Sequence, residues 1–474
     1  MSYGSTFLKS IYYVSPYPLK NLMASAFGFR ESKERYGLHY REAYGFLKDS
    51  QFYSNQDLRT YQVRAAEAFV EKAITNTPYY RSPVYQDSWR DSKNISKFPV
   101  LTKEKVRDNL ENLFPINLSS IAHRWTHTSG TTGKSLIFPM SVRCFQREYA
   151  FRALHYSWSG ADFDAKPRIA TLAGHPVTYR ARMSPPFWAR DYWNNWLIFS
   201  SYHMTERSLK FYIKKLEEFN PVLVLGYPSS AYLLALAYRK YGSKRLGLKA
   251  VYTASETLTE LQRQVIEGAF QVKVYNWYGN SEMVANIVEC EMGELHLKLE
   301  HSFVEIVDDH GDPVKPGSTG KLICTGFGNE AFPLIRYEVG DMVTLSQMQQ
   351  ARCGRGGILI ERVEGRMEDY VVTPDGRFIG RLDHIFKDSR NVVESQIYQD
   401  NTEEIVLRVV RSKQYNQGDE NQLVKEARMR LGDQIRIKFD YVSRIERTSN
   451  GKFRFIDSRI TLPPSFNRQS RIVP

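Results

Sequence analysis

The chain has 474 residues, with 65 lysines and arginines against 52 aspartates and glutamates, a formal net charge of +13. It is 42% hydrophobic and 13% aromatic, enough for a substantial core, and its length suggests two or three domains rather than one. There is no run of about 18 apolar residues and no signal-peptide core, so a cytoplasmic protein without a membrane span is expected. The four widely spaced cysteines form no disulfide framework and fit a reducing compartment. The positive balance favours anionic partners. The basic residues are scattered and no DNA or RNA signature is present, so nucleic acid is not expected among them.

Residues 1–50 form an aromatic and basic extension containing Tyr12, Tyr13, Tyr17, Phe27, Phe29, Tyr36, Tyr40 and Tyr44. Leu19–Phe27 is mildly amphipathic. A helix packed on the domain is favoured there over peripheral contact with the inner membrane face or a membrane-linked glycan. Apolar residues at helical spacing from Tyr61 to Ile74 predict a helix, which Pro78-Tyr79-Tyr80-Arg81 ends.

Thr126 to Ser135 reads Thr-His-Thr-Ser-Gly-Thr-Thr-Gly-Lys-Ser. Glycines let the backbone turn its N–H groups toward an anion, hydroxyls add short donors and lysine adds a mobile charge. This is the composition of a triphosphate cradle. It is not a P-loop, which needs glycine where Thr128 stands and a helix after the lysine. Leu136-Ile137-Phe138-Pro139 reads instead as a strand.

The middle of the chain has a βαβ rhythm. Val222–Leu225 and Ala250–Tyr252 read as buried strands, a helix runs through Tyr232–Tyr241, and Val272-x-Val274 begins another strand. Thr259-x-x-Gln262 reads as a capping box opening a helix to Phe270. Such spacing predicts parallel pairing and a layered α/β domain. Toward the C-terminus, Ile405, Leu407 and Val409, and then Ile435, Ile437 and Phe439, alternate with polar neighbours. Asp419-x-x-Gln422 is expected to cap a helix between these strands, ending near Leu431-Gly432. The expected fold is α/β: a large N-terminal domain (residues 1–366) and a small α+β C-terminal domain (residues 367–474).

The Ser/Thr/Gly loop between two strands, ending in Gly133-Lys134, resembles the phosphate loop of the adenylate-forming superfamily of acyl-CoA synthetases, peptide-synthetase adenylation domains and luciferases. Further segments follow in that family's order: Ser255-Glu256-Thr257, Tyr275–Glu282, Pro333–Asp341, Val363–Asp369 and Arg447–Lys452. Asn76–Arg81, Phe199–His203 and Gly226-Tyr227-Pro228-Ser229 add a likeness to the phenylacetate–CoA ligase-like branch, most of all its subgroup associated with capsular polysaccharide biosynthesis. The resemblance implies that ATP and a carboxylic acid form an acyl-adenylate and pyrophosphate, before CoA or an amine takes the acyl group. It also implies that the C-terminal domain rotates between these half-reactions.

Carried over residue by residue, Thr128, Ser129, Gly130, Thr131, Thr132, Gly133 and Lys134 would hold the phosphates, and Glu282 would hold Mg²⁺. Ser255, Glu256, Tyr278, Gly279, Asp341 and Arg366 would surround adenosine, with Asp341 on a turn made by Gly340 accepting from the ribose hydroxyls. Lys452 would stabilise the reacting phosphate. His203 stands where the family often gates the acyl pocket, and Glu368 stands at the hinge where aspartate is usual. Tyr192, Trp193 and Trp196 are candidates to line an aryl pocket. Relatives carry a zinc site built from Cys-x5-His and Cys-x-Cys. Here Cys290, His296 and Cys353 match, but residue 351 is Ala351, so a fourth Zn²⁺ ligand must be His301, Cys324, a carboxylate or water. The rival readings are an amide-forming ligase acting on a sugar or glycan-linked amine, and a non-catalytic scaffold that keeps the fold.

Overall fold

Val224 and Val251 lie paired and fully buried on adjacent parallel strands, inside the parallel run of a twelve-stranded mixed sheet. The computed structural model describes residues 11–127, 136–173, 177–178, 184–364, 371–375, 378–379, 382–386, 389, 391–446 and 455–460. The parallel run comprises, in spatial order, Trp196–Ser200, Ile169–Ala173, Leu223–Gly226, Ala250–Ala254 and Lys273–Gly279. Trp188–Asp191 closes one edge antiparallel. Beyond Lys273–Gly279 the sheet continues antiparallel through Asn286–Glu289, Leu295–Leu297, Ile358–Glu364, Tyr337–Leu345, Thr319–Gly326 and Ser302–Val307.

Successive strand side chains point to opposite faces, so both faces of the run must be covered. Val224 and Val251 pack with Leu209, Leu216, Leu234 and Ile266 from the helices Glu206–Phe219, Pro228–Tyr241 and Glu260–Phe270. Their neighbours Leu223 and Ala250 pack on the other face with Leu47 of Leu38–Ser50 and with Ala150 and Leu154 of Val142–Ser157. The expected capping box is present: Thr259 Oγ1 accepts from Gln262 N at 3.2 Å and Gln262 Oε1 accepts from Thr259 N at 3.0 Å.

A small α+β C-terminal domain holds a four-stranded sheet in the order Arg436–Tyr441, Glu404–Arg411, Val392–Asn401 and Ile456–Ser458. Ile405, Leu407 and Val409 face Leu423, Ala427 and Leu431 of the helix Gln417–Leu431. The cap of that helix differs from the expected one. Asn416 is the cap and Asp419 its reciprocal partner, accepting from Asn416 N at 2.9 Å. An Asx side chain competes well at either position, and the turn at Asn416 decides between them.

The predicted helix at Tyr61–Ile74 is longer, Asn55–Asn76, and opens on Ser54. The amphipathic stretch Leu19–Phe27 belongs to the helix Tyr17–Arg35, which lies on the edge strand. There Asn21 Oδ1 accepts from Arg190 N and Ser25 Oγ from Tyr192 N, both at 2.9 Å. Among the described residues no helix is long and apolar enough to cross a membrane.

Candidate active site

Parallel strands leave their carboxyl ends on one side of a sheet, and loops leaving those ends build a crevice. Four of the singled-out segments meet there: Ser200–His203, Gly226–Ser229, Ser255–Thr257 and Tyr278–Glu282, each leaving one strand of the parallel run. Ser229 N donates to Glu256 Oε2 at 3.1 Å, joining two of these loops. His203 is buried, stacks on Phe187 at 5.4 Å and shares a 2.8 Å hydrogen bond between its Nδ1 and Ser200 Oγ.

Tyr275–Gly279 is part of the strand rather than a segment after it. Its end is tight: a Cβ on Gly279 would lie 2.7 Å from Trp277 Nε1 and 3.0 Å from Asn286 Oδ1. Only glycine leaves room at this place. Asp341 is likewise not on a free turn. Gly340, at φ +87°, and Asp341 both lie inside the strand Tyr337–Leu345. This strand runs beside an irregularity in its pairing with Thr319–Gly326.

Two hydrogen bonds tie these segments together. Tyr278 Oη donates to Asp341 Oδ2 at 2.8 Å, and Tyr337 Oη donates to Glu282 Oε1 at 2.7 Å. Burial, reinforced by the Asp341 charge, raises the Tyr278 phenol well above its usual range, so it stays a donor. Glu282 is 4% exposed and its carboxylate is oriented by Tyr337, which suits an oxygen ligand for Mg²⁺.

Tyr337 and Arg336 lay inside a quoted motif, but sequence reasoning gave them no role. Arg336 sits at φ +48°, unusual for a bulky non-glycine residue. Its guanidinium meets both oxygens of Glu305 at 2.8 and 3.0 Å and the Phe98 carbonyl at 2.5 Å. Ser255 (φ +73°) and Met283 (φ +53°) are two further left-handed residues in or beside the site motifs. Such strain clusters where a fold over-determines a functional segment.

The strands His123–His127 and Ile137–Ser141 pair antiparallel, and Asn329 anchors the second by accepting from Ser141 N at 2.9 Å. Thr128, Ser129, Gly130, Thr131, Thr132, Gly133 and Lys134 between them lie outside the described residues, as do Arg366, Glu368 and Lys452. The aryl-pocket candidates are elsewhere. Trp196 pairs with Ile169 at the amino ends of the parallel strands, and Tyr192 and Trp193 are exposed, with Trp193 edge-on to Phe29. Edge-strand aromatics here cover a docked helix instead of a pocket.

A second polar group gathers Cys290, Glu294, His296 and Cys353, whose donor atoms lie within 4.8 Å of one another. Two thiols, an imidazole and a carboxylate fit zinc chemically. Burial foremost, with Lys298 nearby, lowers the His296 imidazole to about 4, leaving it neutral near pH 7. Of the fourth-ligand candidates, His301 faces Glu148 at 3.4 Å and Cys324 is buried in the core between strands. The carboxylate that lies with Cys290, His296 and Cys353 is that of Glu294.

The fold is that of the adenylate-forming CoA ligases. A solved 2-hydroxyisobutyryl-CoA ligase, in complex with its acyl-AMP and CoA, aligns over 86% of this chain and 91% of its own with a TM-score of 0.53 at 17% identity. In sequence the chain is similar to phenylacetate–CoA ligase-like proteins. A phenylacetate-coenzyme A ligase of Thermus thermophilus is 27% identical over 67% of this chain and 72% of its own. Protein CapK of Staphylococcus aureus is 28% identical over 96% of this chain and 100% of its own, and a family profile described as the CapK C-terminal domain matches residues 371–459.

Proposed function

We propose that this chain activates a carboxylic acid with ATP as an acyl-adenylate, releasing pyrophosphate, and then transfers the acyl group to the thiol of CoA. The observation that carries the reading is the pair of hydrogen bonds joining Tyr278–Glu282 to the strand Tyr337–Leu345. They join Tyr278 to Asp341 and fix Glu282 beside them, which supports reading the three as an aromatic face for the base, an acceptor for ribose and a carboxylate for the metal. The relatives named as phenylacetate-coenzyme A ligases support the same reading.

In this reading Asp341 and Arg366 take the ribose end, Ser255, Glu256, Tyr278 and Gly279 flank the base, and residues 128–134 take the β- and γ-phosphates. Glu282 would hold magnesium, which supplies charge neutralisation on the phosphates when bound. Lys452 would meet the charge that develops as the carboxylate attacks the α-phosphate. His203 would form part of the acyl pocket wall. Residues 367–474, hinged at Glu368, would move between the two half-reactions.

A second reading replaces CoA by an amine on a sugar or a membrane-linked glycan. Similarity to Protein CapK along the whole of both chains favours a role in surface polysaccharide assembly. The helix Tyr17–Arg35 adds support, because Leu19, Leu22 and Phe29 are exposed beside Arg30 and Lys33, a face suited to an anionic membrane surface.

Carboxylate-dependent ATP–pyrophosphate exchange over aryl, fatty, amino and uronic acids tests the first half-reaction, with Lys452→Ala as control. Exchange that requires one acid class and vanishes in the control supports adenylation. ATP-binding protein that is silent with every acid, or protein that does not bind ATP, counts against it. CoA and amino-sugar acceptors then separate the two readings.

A further inference from the structure

The cluster at Cys290 stands apart from the crevice. Asn286–Glu289 runs antiparallel to Lys273–Gly279, with Asn286 opposite Gly279 and Val288 opposite Trp277. Cys290, two residues beyond Val288, therefore lies toward the amino end of that strand, while the crevice is at its carboxyl end. Any ion there is remote from the proposed chemistry.

Two pieces of chain, the hairpin 286–297 and the loop that holds Cys353, deliver the four donors. A tight turn with Gly293 at φ +78° sets Cys290 N against Glu294 O at 2.9 Å, which puts their side chains together, with Cys290 Sγ and Glu294 Oε2 3.9 Å apart. His296 sits on Leu295–Leu297, hydrogen-bonded on both sides, with no exposed surface. Its Nε2 lies 3.4 Å from Cys353 Sγ. Cys353 belongs to the loop before Ile358–Glu364. Arg355 pins that loop through Glu291 at 2.7 and 2.8 Å and Gln51 at 3.1 Å.

Glu294 is held for the position it occupies. Arg352 Nε donates to its Oε1 at 2.6 Å and Arg352 N to its Oε2 at 3.0 Å. These bonds fix the carboxylate while leaving lone pairs on both oxygens, since an ionised carboxylate has about four acceptor sites. Zinc bonds of about 2.0–2.3 Å in a tetrahedron put donors about 3.3–3.8 Å apart. The Cys353–His296 pair at 3.4 Å already matches and the Cys290–Glu294 pair at 3.9 Å nearly so, while the widest separations, up to 4.8 Å, close by about 1 Å on binding.

We infer that Cys290, His296, Cys353 and Glu294 form a closed four-ligand zinc site in which Glu294, positioned by Arg352, is the oxygen donor. Four protein ligands leave no open position, which is the arrangement of a structural rather than a catalytic site. Two thiolates and a carboxylate over-neutralise the ion, and the Arg352 guanidinium balances the excess. The ion clamps the Cys290–Glu294 turn and the 351–357 loop onto the central sheet. This inference does not depend on the ligase reading.

The test uses the full chain, purified under reducing conditions from zinc-supplemented culture, measured by elemental analysis and, after exchange, by cobalt(II) absorption. Expected are one zinc per chain, tetrahedral cobalt bands with thiolate charge transfer, and a lower Tm after chelation. Glu294→Ala should lose zinc on dialysis that wild type survives. Arg352→Ala should weaken zinc binding by about ten- to a hundredfold. Glu294→Cys guards against simple misfolding: it should keep the metal and gain thiolate charge-transfer intensity. Metal-free wild type, a Cys290–Cys353 disulfide in its place, or cobalt spectra unchanged in both Glu294 variants would overturn the assignment.

Discussion

The hydroxyl of Tyr337 donates a 2.7 Å hydrogen bond to Glu282 Oε1, joining residues 55 positions apart in sequence. Tyr337 has no exposed surface, and its backbone is paired with both Thr319–Gly326 and Leu101. Arg336, just before it, is anchored by Glu305 and Phe98. The carboxylate proposed to hold magnesium is therefore aimed by a residue that has no freedom to move.

Tyr337→Phe keeps the ring but removes the donor. A buried carboxylate that loses one hydrogen bond costs about 1–3 kcal/mol, so the expected result is a roughly tenfold loss of pyrophosphate exchange and a raised magnesium requirement. Titrating magnesium against exchange rate checks this. An unchanged magnesium curve would mean that Tyr337 only supports the strand.

Asp341 and Tyr278 separate binding from packing. Asp341→Ala removes the proposed ribose acceptor and is expected to raise the KM for ATP by about tenfold or more. Tyr278→Phe keeps the aromatic face and should cost distinctly less. Initial-rate kinetics on both variants decides the order, and a larger penalty for Tyr278→Phe would contradict it.

Gly279→Ala forces a Cβ to within 2.7 Å of Trp277 Nε1. Overpacking of this kind costs about 1–3 kcal/mol, and here it should also displace the strand end from the nucleotide. Thermal unfolding should show a lowered Tm together with weakened ATP binding by calorimetry. A stable variant with normal affinity would show that the strand end yields.

Glu148 predicts an acid dependence. Burial alone would raise its carboxyl, but His301, Arg152 and Asn286 outweigh this and hold it at about 2, below the ordinary 4.5. The unfolded chain takes up this proton at higher pH than the folded one. The stabilisation is thus complete above pH 4.5 and is lost as pH falls toward 2, about 3 kcal/mol in all. Denaturant melts between those pH values should show the slope in wild type and a shallower one in Glu148→Gln.

Much of the architecture was legible because local chemistry and tertiary context agreed. Val222–Leu225 and Ala250–Tyr252 are apolar for both faces of a parallel strand, and Thr259 with Gln262 closes a capping box using only its own turn. Asn416 and Asp419 were misjudged because two neighbouring Asx-type side chains offer equivalent caps, and the choice depends on where the preceding turn ends. Tyr192 and Trp193 were candidates for a pocket because aromatic clustering has no direction in sequence; the helix Tyr17–Arg35 beside them is what turns them outward.

By itself the sequence determined the order of motifs, the βαβ rhythm, the Gly/Ser/Thr-rich stretch of residues 126–135 and the spacing of Cys290 and His296, because each is written in residues close together. Only the tertiary structure decided that Tyr337 orients Glu282, that Arg336 braces Tyr337, and that Glu294 rather than His301 or Cys324 joins the cysteines. Those choices depend on strand register. A shift of one residue turns every side chain to the other face, and no local pattern records which face meets a partner dozens of residues away.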